Sequence, residues 1–271
     1  MKIREIIDAL EDFAPLALQD GFDNAGLQIG LPGDVDATGV LLCLDITEDV
    51  IDEAVAHGCN MIVSHHPLLF HPVKQISGRD YTERTIISAV KHDITIYSAH
   101  TNLDNAPGGV CCRMAEKLSL TDLGWLEPKT GTDGGSGIVG MLAEPMSPDD
   151  FISHVGTVFG FDHLHHNLWN GTAVRRVALC GGAGAFLIPQ AVAAGADAFI
   201  TGEIGYHRFF GHEADLLLVE LGHYESEQYT TEILHEVINH AFPHLRLIET
   251  KVRTNPIYSP AHRHVSPPEK N

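Results

Sequence analysis

Residues Val40 to His66 recur, shifted by 137 positions and without a gap, as Val177 to Glu203. Eight of the 27 aligned positions are identical: Val40/Val177, Leu42/Leu179, Cys43/Cys180, Ile51/Ile188, Ala54/Ala191, Val55/Val192, Ala56/Ala193 and Gly58/Gly195. In each copy an apolar run leads into a helix-forming stretch, which stops at a glycine before a second apolar run. Strand–helix–strand units of this kind call for parallel strands joined by a right-handed crossover. Two such units could match by convergence, because both need apolar strands and a glycine stop. The number of identities favours duplication. The expected fold is therefore α/β, built from two pseudo-repeated α/β lobes. The length of 271 residues and the 44% apolar content can bury cores of that size. We place the lobes at residues 1–129 and 130–258. The remaining residues, 259–271, hold three prolines and little apolar content, so a poorly ordered tail is expected there.

The other elements are read around this repeat. Ile3, Ile6, Ile7, Leu10 and Phe13 form one face of an opening helix. Thr82 to His92 and Val110 to Leu118 are helical, and Ile94 to Ser98 is a strand. Ile138 to Leu142 is a short strand after a linker at Thr130 to Gly137. Ser147-Pro148-Asp149-Asp150 starts a helix, with an N-cap, proline in the first turn and acids at the positive end. Residues 156–173, which include His165-His166, read as surface loop.

Chemistry gathers at strand ends. Asn60-Met61-Ile62-Val63 stops abruptly at Ser64-His65-His66-Pro67. Adjacent strand residues face opposite ways, so a backbone turn is needed for both rings to reach one pocket. By itself the pair is weak evidence in a chain with 18 histidines. The strand Ile94 to Ser98 leads to His100-x-x-x-Asp104, and the strand Leu216 to Val219 leads to His223-x-x-x-Glu227, an offset of 123. Ligands of open α/β sheets bind beyond the carboxyl ends of the strands. Two facing halves would then bring His65, His66, Asp104, His223 and Glu227 together. Three imidazoles and two carboxylates exceed the needs of one four-coordinate zinc with an open position. They suit two divalent ions, of zinc, iron or manganese, with a carboxylate between them. Glu203 and His207 are expected to line a substrate pocket. Each element also has a plainer reading, as a surface pair or a solvated helix turn. Asp23 and Asn24 could simply shape a turn. Gly181-Gly182-Ala183-Gly184 lacks the spacing of a nucleotide fingerprint and reads as a tight turn opening a helix.

The net charge of −19 disfavours nucleic acid and anionic membranes as partners. No apolar stretch reaches the ~20 residues that a membrane helix needs. The first residues read as an amphipathic helix, not a signal peptide. Five cysteines without a Cys-x-x-Cys pair suggest reduced structural thiols and a cytoplasmic location.

Four stretches carry a family resemblance: Asp23-Asn24-Ala25-Gly26-Leu27-Gln28-Ile29-Gly30, Ile62 to Pro67, His100-Thr101-Asn102-Leu103-Asp104, and Thr201-Gly202-Glu203 through His207 to Gly222-His223-Tyr224-Glu225-Ser226-Glu227. Together they resemble the NIF-three-like dinuclear metal-binding family, also called GTP cyclohydrolase 1 type 2 homologs. The resemblance implies a two-lobed α/β fold with a dinuclear site between the lobes, and a toroidal homohexamer. It implies metal ligation by His65, His66, Asp104, His223 and Glu227, and because it gives the metal on that side to Asp104, His100 is expected to act beside the metals or in proton transfer. Some members carry a domain inserted between the lobes, but the residues from Leu120 to Arg175 are too few for it here. The expected function is that of a metal-dependent hydrolase of a small phosphorylated or nucleotide-like substrate. The alternative is a non-enzymatic metal-binding, metal-delivery or interaction protein.

Overall fold

The computed structural model describes residues 1–161 and 163–258. The first half contains α1 (Ile3–Phe13), β1 (Gly26–Ile29), β2 (Val40–Cys43), α2 (Glu48–Ala56), β3 (Met61–Ser64), α3 (Tyr81–Lys91), β4 (Thr95–Ser98), α4 (Thr101–Asp104) and α5 (Val110–Lys117). There follow β5 (Thr121–Pro128), β6 (Gly135–Met146), α6 (Pro148–Phe159), β7 (His165–His166), β8 (Val174–Cys180), α7 (Ile188–Ala193), β9 (Ala198–Thr201), β10 (Leu217–Glu220), α8 (His223–Glu227), α9 (Thr230–Ala241) and β11 (Leu247–Glu249). No described helix is long and apolar enough to cross a membrane.

Two sheets result, in the orders β1-β4-β3-β2-β11 and β5-β6-β8-β9-β10-β7. The duplicated units occupy equivalent places. β2, β3 and β4 are parallel neighbours, as are β8, β9 and β10. Cys43 pairs with Ser64 and Cys180 with Thr201, so the shift of 137 survives in the ladder register. The helix stops repeat as well. Gly58 and Gly195 both have φ of 65°, and their N–H groups donate to Val55 and Val192 at 2.9 Å. Glycine takes this left-handed conformation without a Cβ penalty. Each parallel core ends in an antiparallel edge strand, β1 beside β4 and β7 beside β10.

Three sequence expectations are corrected. The sheets do not divide at 129/130. β5 lies in residues 1–129 yet pairs with β6 in the second sheet. α9 and β11 lie in residues 130–258 yet return to the first lobe, where β11 pairs with β2. The reason is the apolar stripe of α1. Ile3, Ile6, Ile7 and Leu10 share one core cluster with Ile233, Leu234 and Ile238 of α9, all nearly fully buried. A stripe of that size left exposed would forfeit about 1.5–3 kcal/mol per large side chain. His165-His166, expected in a loop, forms the short strand β7, although both residues are exposed. β6 also starts within the expected linker. No separate domain stands between β5 and β8; the described residues there form β6, α6 and β7. The expected tail lies outside the described residues.

Candidate metal centre

The carboxyl ends of β3 and β4 face α8 across the gap between the sheets. At the end of β3 the ladder continues one step, with the His65 N–H donating to Cys43 O at 3.2 Å and the His66 N–H to Leu44 O at 2.9 Å. The Ser64 and Ser98 hydroxyls both donate to His66 O, at 2.9 and 3.3 Å. These bonds fold the chain back after the strand, supplying the turn that two converging rings require.

Four imidazoles converge there, each anchored at Nδ1. His65 Nδ1 donates to Ala99 O at 2.8 Å. His66 Nδ1 lies 2.6 Å from Asp45 Oδ1, His100 Nδ1 2.6 Å from Asp23 Oδ1, and His223 Nδ1 2.8 Å from Glu203 Oε1. An acceptor on one ring nitrogen fixes the tautomer and leaves the other free as a ligand.

The inward atoms form two groups around one carboxylate. Glu227 Oε1 is 3.7 Å from His65 Nε2, which is 3.6 Å from Asp104 Oδ1. Glu227 Oε2 is 2.9 Å from His66 Nε2 and 3.0 Å from His223 Nε2. Each group could hold a metal ion, and Glu227 belongs to both; His65, His66 and His100 form a third group of converging ligand atoms, without a carboxylate. Two observations show that the donor set fits cations. His65 Nε2 and Asp104 Oδ1 are buried without a hydrogen-bond partner, a state that costs about 1–3 kcal/mol per group when nothing compensates it. His66 Nε2 and His223 Nε2 face each other at 3.2 Å and both face Glu227 Oε2, a convergence of three ligand atoms that positive charge, from protons or a cation, has to hold together.

The electrostatics follow from this crowding. Burial pushes the Asp104 carboxyl well above the ordinary range, and the Glu227 charge adds to the shift. Burial works against Glu227 too, yet the His65, His223 and His66 nitrogens around it hold its carboxyl well below the ordinary range. Burial alone would lower His66, but its bonds to Asp45 and Glu227 raise it to about 10. His223 is likewise raised to about 9, burial being outweighed by its bond to Glu227. Burial lowers His65 and keeps it neutral. Without metal, the centre therefore stores protons on His66 and His223 that a cation would displace.

The structure thus brings together His65, His66, Asp104, His223 and Glu227. His100 joins them from the side, its ring centroid 5.2 Å from that of His65 and 5.5 Å from that of His66. The motif pairing of His100 with His223 needs correction. β4 and β10 align at an offset of 122, since Thr95 and Leu217 pair with the equivalent residues Met61 and Ala198. The extra residue is Gly222, whose φ is 103°. His223 accordingly opens α8, whereas His100 is the residue before α4.

Glu203 and His207 separate. Glu203 holds His223 and lines a cavity of about 400 Å³ beside the cluster. Phe70, Tyr81, Tyr224, Asn255 and Ile257 help to form its wall. His207 is exposed in a 3₁₀ turn, Tyr206–Phe209, and packs against Tyr206 and Phe210 away from that cavity. The chain turns outward after Glu203, with the Ile204 N–H donating to Glu220 at 2.8 Å. Sequence reasoning missed Asp45 and the cavity wall. The position of Asp45, just past the end of β2 and beside the His-His turn, was the available signal. A larger cavity of about 760 Å³, between α1, α5 and α9, contains none of the cluster residues.

Residues 1–256 match the model of the family described as Duf34/NIF3 (NGG1p interacting factor 3). A relative in Clostridium perfringens, named GTP cyclohydrolase 1 type 2 homolog, is 36% identical over 84% of this chain and 87% of its own length. A relative of the same name in Lactococcus lactis is 33% identical over 95% of this chain and 99% of its own. The crystal structure of a Bacillus cereus protein related to NIF3 superposes with a TM-score of 0.85 at 26% identity, covering 96% of this chain and 99% of that one. A fold built from two facing α/β halves, a shared-carboxylate histidine cluster between them and a family match along the described chain lead to one assignment: the chain belongs to the Duf34/NIF3 family.

Proposed function

We propose that the protein is a metal-dependent hydrolase that holds two divalent cations, of zinc, iron or manganese. One would sit among His65, Asp104 and Glu227, the other among His66, His223 and Glu227. The observation that carries this reading is Glu227, which presents one oxygen to each group. When bound, paired cations offset developing negative charge on attacking and leaving atoms. The protein side chains do the rest. Asp45 and Glu203 hold the imidazoles of His66 and His223 in place. The cavity beside them receives the substrate, and the aromatic side chains of Phe70, Tyr81 and Tyr224 in its wall suit a flat molecule. His100 lines the same cavity and stands ready to take a proton.

The substrate is a small phosphorylated or nucleotide-like molecule; the name of the relatives makes GTP the first candidate and phosphoesters the second. The assembly is a homohexamer in the cytoplasm. Incubation of metal-loaded protein with GTP and a phosphoester panel tests the activity. Turnover no faster than that of a His65→Ala, His66→Ala control would overturn it in favour of a metal-delivery or interaction protein, and light scattering showing a monomer with and without metal would overturn the hexamer.

A further inference from the structure

The stretch Asp23 to Gly30 stands out in the sequence, yet none of its residues belongs to either metal group. Its side chains instead tie together the two loops that carry the histidines. Asn24 Nδ2 donates to Leu69 O at 2.8 Å, and Leu69 N donates to Gln28 Oε1 at 3.2 Å, which fastens the segment after His66-Pro67. Asp23 reaches the other loop. Its side chain is fully buried and accepts four hydrogen bonds. The His100 ring and the Asn24 N–H meet Oδ1, both at 2.6 Å. The Thr101 N–H meets Oδ2 at 3.1 Å, and the Thr101 hydroxyl also donates to it. Every lone-pair direction of the carboxylate is thus used.

We propose that Asp23 is a positioning residue that fixes His100 in the Nδ1–H tautomer and so aims the Nε2 lone pair into the cavity beside the metal centre. Two features favour this over a bare turn. Backbone N–H groups and the Thr101 hydroxyl could be satisfied by a neutral amide or by water, whereas an anion facing Nδ1 selects one tautomer. His100 is also the one imidazole of the four that is held by a carboxylate and stands outside the two Glu227-sharing groups. With His65 and His66 it forms a further, all-imidazole group of converging ligand atoms; because that group lacks a carboxylate and shares both its other members with the Glu227 groups, we assign His100 Nε2 to proton transfer.

On the hydrolase reading, on which this role in turnover rests, the O–H bond of the attacking water breaks as an N–H bond forms at His100 Nε2. The water oxygen bonds to the electrophilic carbon or phosphorus of the substrate, Asp23 balances the imidazolium charge, and the bond from that centre to the leaving atom breaks with its electron pair, the leaving atom taking the same proton from His100. The step needs no oxidant or further reactant. It is the arrangement in which a buried carboxylate orients a histidine base without itself becoming protonated.

The test is the imidazole ¹⁵N spectrum of zinc-loaded protein, with His100 assigned through His100→Gln and metal content measured in parallel. The expected result is an Nδ1–H signature for His100 in the parent and in Thr101→Val. Asp23→Asn should shift it towards Nε2–H while metal per chain stays the same. Where turnover is measurable, Asp23→Asn should lower kcat at least tenfold with little change in KM. An unshifted tautomer in Asp23→Asn would overturn the proposal. Metal loss in Asp23→Asn as complete as in His223→Ala would also overturn it, because His100 would then be a ligand. The spectrum and the metal content do not depend on turnover, so a protein that hydrolyses nothing would refute the hydrolase reading and leave the tautomer assignment to its own result.

Discussion

β3 and β9 hold the same place in their sheets and pair with their neighbours in the same register, but they end differently. After Ser64 the chain continues into His65 and His66; after Thr201, the matched residue, it continues into Gly202 and Glu203. Space explains the first substitution. A Cβ on Gly202 would lie 2.7 Å from Gly182 O and 2.9 Å from His223 Cα, because α8 crosses close over that strand end. In the first lobe the corresponding position carries the His65 side chain, fully buried. The second lobe contributes from the helix instead, through His223 and Glu227. A duplicated backbone has thus become a centre with one side supplied mainly by a strand end and the other by a short helix. One carboxylate, Glu227, connects the two sides.

That connection predicts the largest effect. Glu227→Gln removes the charge shared by both groups, so metal per chain should fall towards zero, as measured by elemental analysis after dialysis. Asp104→Asn touches one group only and should leave about half of the parent's metal. Equal losses in the two variants would break the distinction between a bridging and a terminal carboxylate.

The matched positions 66 and 203 come next. His66→Ala deletes an inward-facing nitrogen and should empty its group. Glu203→Ala deletes only the outer partner of His223 and should weaken metal binding by roughly 10–100-fold. Competition with a chelator of known affinity would rank them, and a reversed order would show that the second strand end supplies a ligand after all.

A pH series sharpens the same comparison. His66 and His223, one from each lobe, have pKa values raised to about 10 and about 9 by the shared Glu227 and their outer carboxylates. A raised folded-state value means that their contribution to metal-free stability is full below the ordinary histidine pKa of 6.5. It is lost as pH rises through 9 to 10. Metal needs both nitrogens neutral, so its affinity should strengthen over the same window. Calorimetry should show the metal-free Tm falling between pH 7 and 10 while the metal-loaded Tm does not follow. Parallel curves would show that the two histidines do not share their protons with Glu227.

The smallest effect tests the part of the repeat that did not diverge. Gly58→Ala and Gly195→Ala each place a Cβ in open space at φ of 65°. Each should cost about 1–2 kcal/mol from backbone conformation alone. Unequal losses in denaturant unfolding would mean that the two helix stops are not equivalent.

The duplicated strand–helix–strand units were legible in the sequence because their causes are local. Apolar runs, a glycine stop and a fixed spacing dictate the parallel ladder whatever surrounds it. Clustering of His65, His66, Asp104, His223 and Glu227 was legible for a related reason, since parallel strands deliver their carboxyl ends to one side of a sheet. The return of α9 and β11 to the first lobe was not legible. It depends on the α1 stripe finding its cover more than 200 positions away in the chain, and no local pattern names that partner. His207 was misplaced because it follows Glu203 closely in the chain and was expected to stay near the ligands, while the backbone between them turns outward to a bond with Glu220. Asp45 and Asp23 look like ordinary turn residues until folding puts each within 2.6 Å of an imidazole. Sequence alone determined the duplicated strand–helix–strand elements and which residues could bind metal. Tertiary structure decided which carboxylate bridges, which histidine stands apart and which nitrogens face inward, because those depend on distances between segments that only packing sets.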